Sequence, residues 1–145
     1  MLPITIRCYR SSAVQPPIAF YILAKGGNAG KPALQPWPNS FIAIAPNQEM
    51  RDFYYWLTFG LHKANAFKTF HRGSVIPFIN IGEVMNVIMP AARNIYPHWQ
   101  EYKTILQHLE LLENRKNNLV QILKSTATLQ DMLIKSWLLE KDIKI

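Results

Sequence analysis

All ten prolines and all six glycines of this 145-residue chain lie at or before Pro97, and none follows it. Proline lacks the backbone N–H a helix needs, and glycine loses the most entropy when held in one. The chain is thereby split into a stretch that must turn often and one that can run on as uninterrupted helix. This predicts an α+β architecture: a small mixed α/β domain over residues 1–97, then a helical tail over residues 98–145. The length suits one domain with an appended element and is enough to bury a core. Apolar residues make up 49% and charged residues 17%, which excludes a disordered or linker-like chain. A lone cysteine, Cys8, excludes an internal disulfide framework and fits a reducing, cytoplasmic compartment. The longest nearly unbroken apolar run, residues 16–24, is about half what a bilayer-spanning helix needs, so no membrane partner is expected. Arg7 and Arg10 interrupt the apolar N-terminal stretch and argue against a signal peptide.

Charge divides along the same boundary. Residues 1–97 hold nine Lys/Arg against Glu49, Asp52 and Glu83, a balance of +6, whereas residues 98–145 hold seven against six, a balance of +1. A basic body on a charge-balanced tail points to a polyanionic partner, nucleic acid first among them, with a solubilising surface charge as the alternative.

Within the body, residues 2–8, 18–23 and 41–45 are rich in β-branched and aromatic residues bounded by turn formers, and read as strands. Asn47 is suited to cap a helix through its side-chain oxygen. Phe53, Trp56, Leu57, Gly60, Leu61, Ala64 and Phe67 recur at helical spacing and predict a helix from Gln48 to about Phe70, ended by Arg72-Gly73. Residues 74–81 read as extended and interrupted by Pro77, residues 82–87 as a single helical turn, and residues 87–89 as a closing strand.

In the tail, Tyr102, Ile105, Leu109, Leu112, Leu119, Leu123, Leu133 and Trp137 follow a 3–4 spacing, with Lys116, Thr126 and Gln130 filling its gaps. That is the pattern of a coiled-coil seam, and these eight residues are the candidate dimerisation set. A helix from Pro97 to Leu139 would be about 64 Å long, far beyond the roughly 13 Å radius of gyration of a 100-residue body. It is therefore expected to find another helix, most simply in a homodimer. Alternatively, a break at Ser125-Thr-Ala-Thr128, where Thr128 and Asp131 have capping-box spacing, would give a hairpin that needs no partner.

Catalytic and metal motifs fail on spacing. Residues 25–32, Lys-Gly-Gly-Asn-Ala-Gly-Lys-Pro, have three residues between Gly26 and Gly30, and Pro32 where a phosphate-binding loop needs Ser or Thr. What remains is a basic, Gly-rich turn, either a plain connection or a backbone able to approach a phosphate. His62, His71, His98 and His108 lack metal-ligand spacing, and one cysteine cannot build a zinc site. Ser74 lacks a nucleophile elbow, and three acids in the body leave little for acid–base chemistry. A non-enzymatic chain without cofactor or metal is expected. The run Phe53-Tyr-Tyr-Trp56 reads first as core, with stacking on unpaired bases as the alternative.

Taken in order, the residues resemble a family. Residues 20–31, 41–46 and 53–57, then 67–82 and Val87-Ile-Met-Pro90, are similar to the second half of a target-recognition domain of type I restriction-modification specificity subunits. In that resemblance a long helix follows the domain, as here from His98. The chain also resembles a group of uncharacterised small proteins of Bacteroidetes, in Gly30-Lys-Pro32 and in residues 74–80. The specificity subunits carry two recognition domains and two long helices, where this chain has about half of one domain and one helix. The resemblance implies a non-catalytic binder of duplex DNA that self-associates through its helix, with a DNA methyltransferase subunit as a further partner. It implies that Lys25, Lys31, Lys68 and Arg72 meet phosphates. The turn His71–Ser74 would face the DNA, bringing Ser74 with it, and Asn28, Gln35 or Asn80 would read base edges. For Asn80, capping a turn is the competing role.

Overall fold

The computed structural model describes residues 3–143 of the chain. Four strands, β1 (Thr5–Cys8), β2 (Ala19–Leu23), β3 (Pro32–Ala33) and β4 (Ser40–Ile44), form one antiparallel sheet in the order β1-β4-β2-β3. Leu2 of the expected first strand lies outside the described residues. Alternation along the two central strands decides which face is core. Phe20 and Ile22 of β2 pair with Ala43 and Phe41 of β4, and all four point into the core. Tyr21 and Ile42 lie between them on the opposite face.

Helix α1 (Gln48–Lys63) covers the inner face. Asn47 caps it as expected, its side-chain oxygen accepting the Met50 N–H at 2.9 Å. The buried stripe is Met50, Phe53, Tyr54 and Leu57. It leaves Trp56 half-buried, so the apolar face is rotated from the one expected. Burial pushes the Tyr54 hydroxyl up to about 12, with nearby Tyr96 adding to the shift. The helix also ends earlier than the spacing predicts. Asn65 adopts the left-handed conformation at φ 60°, and the Ala66 and Asn65 N–H groups donate to the Leu61 and His62 carbonyls. This is a Schellman stop with Asn in the usual place of Gly, and it reverses the chain seven residues before Arg72. A short 3-10 turn, Lys68–Phe70, follows. The reversal drives Phe67 into the core against Gly30, where a Cβ would stand 2.5 Å from the Phe67 Cγ.

The expected single turn over 82–87 and closing strand over 87–89 are instead one helix, α2 (Ile81–Ile95). Two causes account for the difference. Asn80 and Glu83 form a capping box: Asn80 Oδ1 accepts the Glu83 N–H at 2.9 Å, and Glu83 Oε2 accepts the Asn80 N–H at 3.1 Å. Pro90, read from sequence as closing a strand, sits inside the helix on its exposed side, where the carbonyl it leaves unbonded can turn to water. Val84, Ile88 and Ala92 then recur every four residues toward the core. A 3-10 turn (Tyr96–His98) leads to α3 (Trp99–Glu140).

The chain divides into two compact units, Met1–Trp99 and Gln100–Ile145. In the first unit Trp99 packs edge-on against Phe53 at 4.9 Å, and its indole N–H donates to Glu49 at 2.9 Å. The second unit is the body of a single 42-residue helix, about 63 Å long. The hairpin alternative does not form. Thr126 and Thr128 donate their hydroxyls back to the Ile122 and Lys124 carbonyls at 2.8 and 3.0 Å, so neither is free to cap a new helix. Among the described residues, no helix is long and apolar enough to cross a membrane.

Candidate nucleic-acid interface

The Gly-rich turn begins at Lys25 and ends at Lys31, and backbone hydrogen bonds close it, among them the Gly30 N–H to the Leu23 carbonyl at 2.8 Å and the Ala29 N–H to the Gly26 carbonyl at 3.0 Å. The Lys31 N–H donates to the Asn28 carbonyl at 2.9 Å and the Leu23 N–H to the Lys31 carbonyl at 2.9 Å. His71 Nε2 donates to the Ala29 carbonyl at 3.0 Å, which places the proton on that nitrogen and ties the turn to the end of the 3-10 segment. The early stop of α1 brings His62, Lys63 and Lys68 to the same place. His62 titrates below its usual value, first because burial disfavours its charged form. Lys31, Lys63, His71 and Lys68 then each lower it further. Five cationic or protonatable side chains from three segments thus share one region. Lys63 lies over the Phe59 ring, 5.3 Å from its centroid, which holds that ammonium in place.

The body's three carboxylates are all committed. Asp52 pairs with Arg51 at 2.6 Å, Glu49 accepts the Trp99 indole, and Glu83 accepts Arg72 Nε at 2.7 Å. Among the described residues, no ion pair neutralises Lys25, Lys31, Lys63 or Lys68.

The residues expected to meet DNA fall into two groups. Lys31 and Lys68 belong to the histidine–lysine cluster, and Asn28 is exposed at the tip of the adjoining turn. Lys25 and Arg72 instead flank Phe78 in a narrow ladder, with Arg72 and Phe78 exchanging both backbone hydrogen bonds at 2.8 Å. Arg72 also closes a 2.6 Å ion pair on Glu83, so its charge is matched before any phosphate arrives. Asn80 caps α2 and its side-chain oxygen is occupied, the competing role named for it above. Lys25 and Asn80 line an open, largely apolar cleft of about 680 Å³ with Phe78, Ile79 and Phe41. Gln35 is exposed beyond β3, and Ser74 is exposed in the bend after Gly73. The aromatic run is absorbed by the fold, with Phe53 and Tyr54 buried and Tyr55 packed edge-on against Phe20.

The sequence-based expectation included His71 in a DNA-facing turn but not His62 or Lys63. Two adjacent basic residues in the last turn of α1, followed by Lys68 and His71 with no acid between, were the available signal.

Among the described residues, no group of three His, Cys, Asp or Glu side chains is placed to hold a metal ion. No curated protein and no solved structure matches the chain. One family profile matches residues 6–136, across both units, and on that match the chain belongs to the family of unknown function DUF6943.

Proposed function

We propose that the protein is a non-catalytic binder of duplex DNA, comparable in role to a half-size type I specificity subunit, whose basic body holds the phosphate backbone and whose helix pairs with a second copy. The observation that carries this reading is the acid-free cluster of Lys31, His62, Lys63, Lys68 and His71 around a Gly-rich turn. Three permanent cations in one region form an electrostatic footprint suited to consecutive phosphates, and a backbone with open space around Gly26 and Gly27 lets a phosphate come close. Asn28, exposed at the tip of the same turn, extends the surface. A methyltransferase subunit remains the further partner this reading allows.

The test is a salt titration of labelled duplex by fluorescence anisotropy. Three phosphate contacts per copy give a log–log slope near −2.7, at about −0.9 per contact. Absence of binding at about 50 mM salt would end the proposal, since nonspecific phosphate binding is strongest there. A second reading, a protein-interaction module with the same fold and no DNA affinity, is favoured by the apolar side chains that α3 leaves exposed, among them Leu123 and Leu133.

A further inference from the structure

In the second unit Leu106 is buried, but the apolar seam of α3 from Leu119 to Trp137 has no cover. Leu119, Leu123, Leu133 and Trp137 are 56%, 69%, 71% and 53% exposed, although they lie on one seam at 3–4 spacing. We propose that residues 116–140 pair with the same segment of a second copy in an antiparallel register, with the two-fold axis at the level of Thr128. This deepens the dimerising half of the function proposed above and is independent of DNA.

The register follows from what each seam position meets. In an antiparallel pair, positions equidistant from the axis face each other across the seam. About Thr128, Leu123 faces Leu133 of the second copy, and Leu119 faces its Trp137. The polar positions match as well: Thr126 faces Gln130, and Lys116 faces Glu140. Symmetry repeats each pairing on the other side of the axis. Flanking positions continue the pattern, Val120 lying beside Ile134 and Ala127 and Leu129 each beside its own copy.

Charge confirms the choice of direction. Lys116 is held by Glu113 at 2.6 Å within its own helix. In this register that pair lies against Glu140 and the adjoining Lys141 of the second copy, giving a neutral set of four charges at each end of the overlap. A parallel pair would instead set Lys116 against Lys116 and Glu140 against Glu140, like charges in a desolvated seam. An antiparallel pair displaced by one heptad sets Lys116 against Leu133 and Gln130 against Leu119, or, displaced the other way, Glu140 against Leu123. Each displacement buries a charge against a leucine. The matched overlap spans about 36 Å of helix, several turns beyond what an isolated pair of short helices would need.

The full-length chain carrying Cys8→Ser tests the direction by disulfide formation. Leu123→Cys alone and Leu133→Cys alone should give no linked dimer, and an equimolar mixture of the two should. Self-linking of Leu123→Cys would mark a parallel pair and overturn the proposal. Sedimentation equilibrium without DNA tests the charges. Lys116→Glu and Glu140→Lys should each weaken the dimer by roughly tenfold or more, as like charges brought together do, and the double exchange should restore it. A monomeric parent, or folded single variants whose combination fails to restore association, would overturn the inference. Failure to bind DNA would leave it standing.

Discussion

The side-chain oxygen of Asn80 accepts the Glu83 N–H while Glu83 returns a bond to the Asn80 N–H, so this amide is spent on starting α2. Asn80→Ala should therefore cost about 1 kcal/mol of stability, the usual loss for an N-cap, and leave DNA affinity unchanged below the melting transition. Paired thermal melts and anisotropy measurements check both halves; loss of affinity without loss of stability would assign the residue to base reading instead. The Glu83 carboxyl is held below its usual range, chiefly by the Asn80 N–H and then by Arg72, with burial opposing them. Its contribution to stability is present above the ordinary carboxylate value of 4.5 and is lost as pH falls through its depressed folded value. His62 carries the opposite kind of charge but has the same sign of linkage. Its folded value lies below 6.5, so the unfolded chain binds the proton more readily, and stability declines as pH drops from above 6.5 toward the folded value. A phosphate beside it favours the imidazolium, so the same acidification should strengthen DNA binding while it weakens the free fold. Anisotropy titrations above and below pH 6.5 should show tighter binding at the lower pH, and His62→Gln should flatten the dependence. An unchanged profile in that variant would remove His62 from the interface.

Helix α2 carries Pro90 on its exposed side, with Val84, Ile88 and Ala92 buried at spacings of four on the face away from the proline. Pro90→Ala would restore a backbone hydrogen bond to Asn86 and remove the ring clash, gains offset in part by the greater entropy of the unfolded chain. A net stabilisation of about 1–2 kcal/mol is expected from chemical denaturation; a loss would mean that the ring itself packs usefully. The same proline explains why α2 was illegible in the sequence. Val87-Ile-Met ahead of a proline reads as a strand ending, and only the capping box at Asn80 and Glu83, four to seven residues upstream, says otherwise. Signals that act locally were readable: the apolar, β-branched and aromatic run Phe41 to Ala45 bounded by turn formers, the Asn47 cap, and the freedom from Pro and Gly that yields α3. The end of α1 was not, because Asn65 rather than Gly takes the left-handed position and the nearest obvious stop was Gly73. The candidate site shares that difficulty. Lys31 is some thirty residues from His62 in sequence, and only the reversal at Asn65 puts them together. Lys31 and Lys68 were legible as cations, whereas their neighbours were not legible as a set.

At the scale of the whole molecule, two observations from separate units bear on one behaviour. The first unit gathers Lys31, Lys63 and Lys68 with no ion pair to an acid among the described residues, and the second carries an apolar seam with opposite charges at its two ends. If the seam joins two copies, each DNA-bound dimer presents two such clusters, and binding by the second becomes intramolecular once the first has engaged. The salt dependence then counts the clusters. Three contacts per copy give a slope near −2.7 for a monomer and near −5.4 for a dimer with both bodies on one duplex. Leu123→Glu sets a carboxylate against Leu133 of the second copy and should dissociate the pair, as burial of an unpaired charge costs several kcal/mol. Leu112→Glu lies outside residues 116–140 and should leave the pair assembled. Anisotropy titrations over a salt series, with sedimentation on the same samples, should therefore show the slope halved in Leu123→Glu and unchanged in Leu112→Glu. Equal slopes for parent and Leu123→Glu, with the variant shown to be monomeric, would mean that the two bodies never share a duplex and that association through α3 serves something other than grip on DNA.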